Sequence, residues 1–202
     1  MTQLKPTEVE AVLRVKVAIV GDSAVGKSTL ISMFTSKGQK FPKAYSMTCG
    51  VDTVVAQVQI PDTKKLAELY LMDTSGSELY REAVPQYWNG VYYAMLVFDV
   101  TDAESFDSCK LWLEELKKAR PDTQRSLKCV LVSTKNDLPK QRHAVSAGAA
   151  QDWATSNGME FFAVSCLPPG ENYEGPFEFL AKALHRTYEE KVTAYQDACR
   201  NY

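Results

Sequence analysis

The sequence predicts an α/β domain built on a mostly parallel sheet with one antiparallel edge. Three observations carry this. Apolar runs alternate along the chain with stretches of helical periodicity, the order of βαβ units. Two of the runs, YYAMLVFDV (92–100) and KCVLVST (128–134), are continuously apolar and rich in branched side chains, as in strands covered on both faces. Two others, VDTVVAQVQI (51–60) and KLAELYLM (65–72), flank PDTK, which reads as a hairpin and hence as the antiparallel pair.

Taken in order, residues 1–12 read as a flexible arm. LRVKVAIV (13–20) is the first strand and runs straight into GDSAVGKS (21–28). TLISMFTSKG (29–38) follows as a helix ending at Gly38. After the hairpin and the strand at 92–100, AESFDSCKLWLEELKKAR (103–120) repeats Phe106, Leu113 and Leu116 at helical spacing, and Pro121 follows its stop. SAGAAQDWATSNG (146–158) is a helix closed by Asn157-Gly158, MEFFAVS (159–165) is a last strand, and a final helix starts near Pro176. No internal repeat or second domain interrupts the series.

A chain of 202 residues suits one domain. Its net charge of −2 offers no basic face for nucleic acid and no polybasic signal for a membrane. The five cysteines, at 49, 109, 129, 166 and 199, show no metal or redox spacing and read as reduced thiols of a cytosolic compartment. MTQLKPTEVEAV is too polar for a signal peptide, and VYYAMLVF is too short to span a bilayer. His143 and His185 have no second ligand nearby in sequence and give no metal site.

GDSAVGKS matches the phosphate-loop pattern G-x-x-x-x-G-K-[ST]. Gly21 and Gly26 allow the backbone around Asp22, Ser23, Ala24 and Val25 to aim successive N–H groups at phosphate oxygens. Lys27 supplies a point charge, and the Ser28 hydroxyl suits Mg²⁺. Ser28 and Thr29 sit where the helix dipole favours an anion. STKNDL (133–138), just after the apolar strand at 128–134, selects the base. The Asp137 carboxylate can accept from the N1–H and N2–H₂ of guanine, and adenine would leave it unpaired. Lys135 can lay its stem over the base plane. VSC (164–166) ends the next strand, where the Cys166 N–H could reach the guanine O6.

With these motifs in their order and spacing, together with FPKAYSMTCGVD (41–52) and DTSGSELY (73–80), the chain resembles the Ras-superfamily small GTPases over about residues 13–190, and within them the Rab branch. The resemblance implies a six-stranded sheet with about five helices. It implies GTP or GDP with Mg²⁺ as ligands: Thr48 and Ser28 on the metal, Asp73 through water, Gly76 on the terminal phosphate, Phe41 on the guanine, and Thr134, Ser165 and Cys166 in the base-binding turns. Departures are specific. Thr134 replaces the usual asparagine before Lys135, Cys166-Leu167 replaces Ala-Lys after Ser165, and the segment TSKGQKF looks about two residues longer. Thr53 and Met72 stand where two effector-binding aromatics would be, and Tyr87 keeps the third place, which argues against conventional Rab effectors. LISMFTSKG, QYWNGVYYA, AQDWATSNG and YQDACRNY are similar to the Rab-like GTPases of the intraflagellar transport B complex. That similarity implies a ciliary cargo-train subunit of cytoplasm, cilium or flagellum and basal body, paired with a small β-sandwich partner of heat-shock-like fold.

Ser77 stands where the family's water-orienting glutamine would be. A shorter side chain with one hydroxyl predicts slow GTP hydrolysis, because phosphoryl transfer depends on positioning. A nucleotide-stabilised scaffold without a productive cycle is the alternative, and TKND and DTSG argue against a P-loop phosphotransferase. Cys199 lies fourth from the end, but polar neighbours and Tyr202 argue against prenylation and a direct lipid anchor. Residues 176–202 read as one long helix carrying Phe177, Leu180, Leu184, Tyr188, Val192 and Tyr195 on one stripe. Residues 191–202 extend past the domain, and Tyr188, Val192 and Tyr195 are candidates for binding a partner chain.

Overall fold

The first strand, β1 (Ala11–Val20), starts two residues earlier than its apolar run suggests, so Ala11 and Val12 belong to the sheet. Its last four residues, Val17 to Val20, are fully buried and deliver the chain from the core into the glycine loop. The computed structural model describes residues 9–120 and 126–200. The first eight residues of the expected arm, Pro121 and the last two residues of the chain lie outside the described residues.

The loop leads into α1 (Lys27–Thr35). The hairpin forms as predicted from β2 (Val51–Gln59) and β3 (Lys65–Thr74), antiparallel with Thr53 opposite Met72. β4 (Tyr93–Asp99), β5 (Lys128–Thr134) and β6 (Glu160–Ala163) complete a sheet of order β2-β3-β1-β4-β5-β6. Every pairing except β2 with β3 is parallel. Between the parallel strands run α2 (Ala103–Lys118) and α3 (Ala147–Ser156), and α4 (Gly175–Arg200) closes the chain.

Local chemistry sets the helix starts. The Asp102 carboxylate accepts from the N–H groups of Glu104 and Ser105 at the head of α2, whose last turn carries Lys117 and Lys118, the charge order that suits a helix dipole. Ser146 caps α3 through the Ala149 N–H. Between β3 and β4 the chain makes short 3₁₀ turns, Glu78–Tyr80 and Val84–Trp88, with Pro85 early in the second. A third spans Lys140–Arg142. The architecture among the described residues is thus six strands, four α-helices and these turns.

Because side chains alternate across a strand, β1 and β4 feed two cores. Val17, Ile19, Met95 and Val97 face α1 and α4, meeting Leu30, Met33, Phe177 and Leu180. Ala18, Val20, Leu96 and Phe98 face α2 and α3, meeting Trp112, Leu116, Ala150 and Ala154. Both faces are covered, which is why the strand sequences read as continuous apolar runs. Phe34 of α1 stacks on Phe177 of α4 with ring centroids 3.8 Å apart, pinning the start of α4 to the sheet.

Candidate functional site: a cleft at the carboxyl ends of the strands

The loops that leave β1, β3, β5 and β6 gather at the carboxyl edge of the parallel sheet, where open α/β folds bind ligands. Two adjoining clefts lie there and share Ala24, Gly26 and Thr29 as common wall.

The first cleft is the phosphate loop facing residues 42–48 and 74–76. Gly21 has φ +145°, and a Cβ there would stand 2.1 Å from the Val97 carbonyl oxygen, so only glycine fits. Lys27 is 6 % exposed and donates through Nζ to the carbonyl oxygens of Gly21 and Asp22 at 2.8 and 2.7 Å. Burial depresses its pKa to about 8 although the carboxylates of Asp73 and Asp22 oppose the shift. Asp22 is itself held by the Trp112 indole N–H at 2.8 Å, a tether from α2 that nothing in the sequence motif signals.

Three oxygen-bearing side chains meet across the cleft. The Ser28 hydroxyl donates to Asp73 Oδ2 at 2.6 Å, and Thr48 Oγ1 lies 3.1 Å from Ser28 Oγ and 3.3 Å from the same carboxylate oxygen. Thr48 is twenty residues from Ser28 and twenty-five from Asp73, so this convergence is made by the fold. The other carboxylate oxygen, Asp73 Oδ1, is buried without a hydrogen-bond partner. Burial raises the Asp73 pKa against the pull of Ser28, Lys27 and Thr48. Hydroxyls and a carboxylate form the hard-oxygen set that Mg²⁺ prefers, with water as the remaining ligands, and the orphaned Oδ1 is the acceptor that a metal-bound water would satisfy. The residues therefore fit the ion. Gly76 closes this wall: a Cβ on it would fall 2.3–2.4 Å from backbone atoms of Gly21, Asp22 and Ser23.

The second cleft is lined by Phe41, Thr134, Lys135, Asp137, Leu138, Cys166 and Leu167, besides the shared wall. Asp137 accepts from the Ser165 hydroxyl at 2.6 Å. Thr134 Oγ1 lies 2.6 Å from the Val25 carbonyl oxygen and 3.0 Å from that of Phe98, its one proton serving both. Threonine in place of asparagine still ties the base-side turn to the phosphate loop. Lys135 sits at φ +59° with its ammonium on Asp99 Oδ2 at 2.5 Å. Burial works against the Asp99 charge, but the hydrogen bond from Lys135 and those from Thr101 outweigh it and hold the carboxyl below its ordinary range. Burial pushes the Cys166 thiol up to about 12, with the Asp137 charge adding to the effect, which leaves the thiol inert and its backbone as the useful part.

All the residues expected to bind nucleotide thus lie on or beside these two clefts, whereas Ser77, expected at the catalytic position, stands apart. Ser77 does not line the phosphate cleft. Its hydroxyl accepts from the Leu79 N–H at the head of the first 3₁₀ turn. Ser75, buried at 2 % exposure, lines that cleft instead. Nothing in the DTSG motif marks this serine as the one that faces the cleft. The partner-binding candidates also divide. Tyr188 packs against the sheet-side core with the Lys65 ammonium 5.0 Å above its ring, and Lys65 is bonded to Glu189. Val192 is half-buried and Tyr195 is 73 % exposed.

A phosphate loop, a carboxylate held by Ser165 in the adjoining cleft, and a threonine that reaches Ser28 and Asp73 from a separate segment have the layout of a P-loop nucleotide-binding protein. The Ras family model matches residues 16–186, and the chain belongs to the Ras family. It is 60 % identical over 200 residues to intraflagellar transport protein 27 of Chlamydomonas reinhardtii, covering 99 % of this chain and 98 % of that one. It is 41 % identical over 184 residues to the intraflagellar transport protein 27 homolog of Homo sapiens, covering 91 % and 97 %. The Ras-related protein RABA4b of Arabidopsis thaliana matches at 33 % over 186 residues, covering 92 % of this chain and 79 % of its own.

Proposed function

We propose that this chain is a Rab-like guanine-nucleotide switch subunit of an intraflagellar transport complex, binding GTP and GDP with Mg²⁺ and hydrolysing GTP slowly. The observation that supports the nucleotide reading best is the meeting of Ser28 and Thr48 at Asp73 Oδ2, with Asp73 Oδ1 left buried and unpartnered beside them. The transport role rests on the relatives named for intraflagellar transport, which match almost end to end.

In this reading the loop N–H groups and Lys27 hold the inner phosphates. Ser28 and Thr48 would ligate Mg²⁺ and Asp73 would order its water shell, and the ion would supply positive charge to offset that of the phosphates. Asp137 reads the guanine edge, Ser165 orients Asp137, and Phe41 and the Lys135 stem cover the base. Thr48 belongs to residues 39–50, almost all of them exposed, so its engagement is the step that can differ between nucleotides. Because Ser77 is turned to its own 3₁₀ turn, water positioning is weak and the protein remains long in the triphosphate state. The subunit pairs with a small β-sandwich protein of heat-shock-like fold through its C-terminal helix and works in the cytoplasm, basal body and cilium.

The test is direct binding of fluorescent guanine and adenine nucleotides with and without Mg²⁺, followed by co-purification with the β-sandwich subunit. Guanine-selective, Mg²⁺-dependent binding and a stable heterodimer are expected. Failure to bind guanine nucleotide would sink the reading, and binding without hydrolysis would leave the scaffold role.

A further inference from the structure

We propose that the Ser75 hydroxyl is a ligand for the terminal phosphate of a bound nucleoside triphosphate and so helps the protein tell triphosphate from diphosphate. This rests on the reading of the cleft as a nucleotide site.

Ser75 is the first residue beyond β3 and is 2 % exposed. It lines the phosphate cleft together with Lys27, Ser28, Thr48 and Gly76. Lys27 and Ser28 come from the loop and the start of α1. Thr48, Ser75 and Gly76 come from the facing segments, and on that wall Ser75 is a hydroxyl whose proton is unspent. Its Oγ receives the Ser77 N–H at 3.3 Å, yet among the described residues the hydroxyl donates to no acceptor. A buried donor without an acceptor is costly, and an anion entering the cleft supplies one. The surroundings suit an anion, with the buried Lys27 ammonium in the same cleft.

Ser75 also spans the two segments that meet there. Its N–H donates to the Gly50 carbonyl at 2.8 Å, two residues past Thr48, while its hydroxyl holds Ser77. A phosphate oxygen accepting from this hydroxyl would therefore fasten 48–50 and 75–77 around itself. A diphosphate, held by the loop and Lys27, lacks the group that reaches the far wall. Ser77 does not take this role, since it does not line the cleft.

The experiment compares equilibrium affinities for Mg²⁺-GDP and for Mg²⁺ with a non-hydrolysable GTP analogue in the wild-type chain and in Ser75→Ala. The variant is expected to hold GDP within about twofold and to bind the triphosphate analogue about tenfold more weakly, the loss of one charge-assisted hydrogen bond. Ser75→Cys keeps a side chain of similar size with a weaker donor and should shift the ratio in the same direction. An unchanged ratio, or an equal loss of both affinities in the two variants, overturns the assignment while leaving the nucleotide site standing. A wild-type chain that binds neither nucleotide overturns both.

Discussion

Ser165 donates its hydroxyl proton to Asp137 across 2.6 Å, so the carboxylate proposed to read the base is oriented by the turn that follows the neighbouring strand. The backbone closes the same corner: the Asn136 N–H and side-chain amide both reach the Val164 carbonyl. The two turns are tied into one piece, and a guanine bound as proposed would meet a preset acceptor.

Asp137→Ala is therefore expected to cost at least about a hundredfold in guanine-nucleotide affinity and to abolish the preference over adenine. Ser165→Ala should cost about three- to tenfold and keep the preference, since it loosens the acceptor without removing it. Competition binding against a fluorescent GDP separates the two.

The Lys27 pKa yields a proton count. In the nucleotide-free fold, burial sets it at about 8, against 10.5 for the exposed group. Between those values the unfolded chain holds the extra proton, so stability of the free protein should rise as pH rises from about 8 to 10.5. Below that window the burial penalty, on the order of 3 kcal/mol, applies in full. Phosphates restore the charged form, so GDP binding without metal at pH 9 should take up close to one proton, and binding at pH 6.5 should take up almost none at this group. Calorimetry in two buffers of different ionisation enthalpy reads the number.

Ser77→Gln should speed single-turnover hydrolysis of Mg²⁺-GTP by about fivefold or more, because a longer side chain reaches back toward the cleft from a position whose present hydroxyl points at Leu79. Equal rates in the two proteins would count against water positioning as the missing element.

The C-terminal helix should be divisible. Cutting after Glu190 leaves Tyr188 on the core and the Lys65–Glu189 pair intact, so nucleotide binding and melting temperature should hold while partner binding weakens. Cutting after Arg186 removes both contacts and should lower the melting temperature as well. Thermal melts and size-exclusion runs with the proposed β-sandwich partner distinguish the cuts.

Most of the sheet was legible because two-sided burial writes itself into strands as unbroken apolar runs, and the phosphate loop because its glycines are sterically compelled. The hairpin was legible from four intervening residues. The division of α4 was not. Its apolar stripe continues with the same period through Leu184, Tyr188, Val192 and Tyr195, and only packing shows that Tyr188 is consumed by its own domain. The roles of the two serines were hidden for a similar reason: Ser75 and Ser77 differ by two positions in a bend, and which one faces the cleft depends on Gly76 lying against the loop backbone. The Trp112–Asp22 tether joins residues ninety apart that no local pattern relates.

The last firm contact of α4 with the sheet is at Lys65, the first residue of β3, whereas Asp73 lies eight residues further along the same strand, about 26 Å away at the rise of a strand. The helix tail therefore leaves the domain at the end opposite the nucleotide. A companion that gripped the tail, as proposed, would hold the protein by a handle remote from the site where GDP and GTP would exchange. Permanent membership in an assembly and transient signalling from the nucleotide edge can then proceed on one chain without competing for surface.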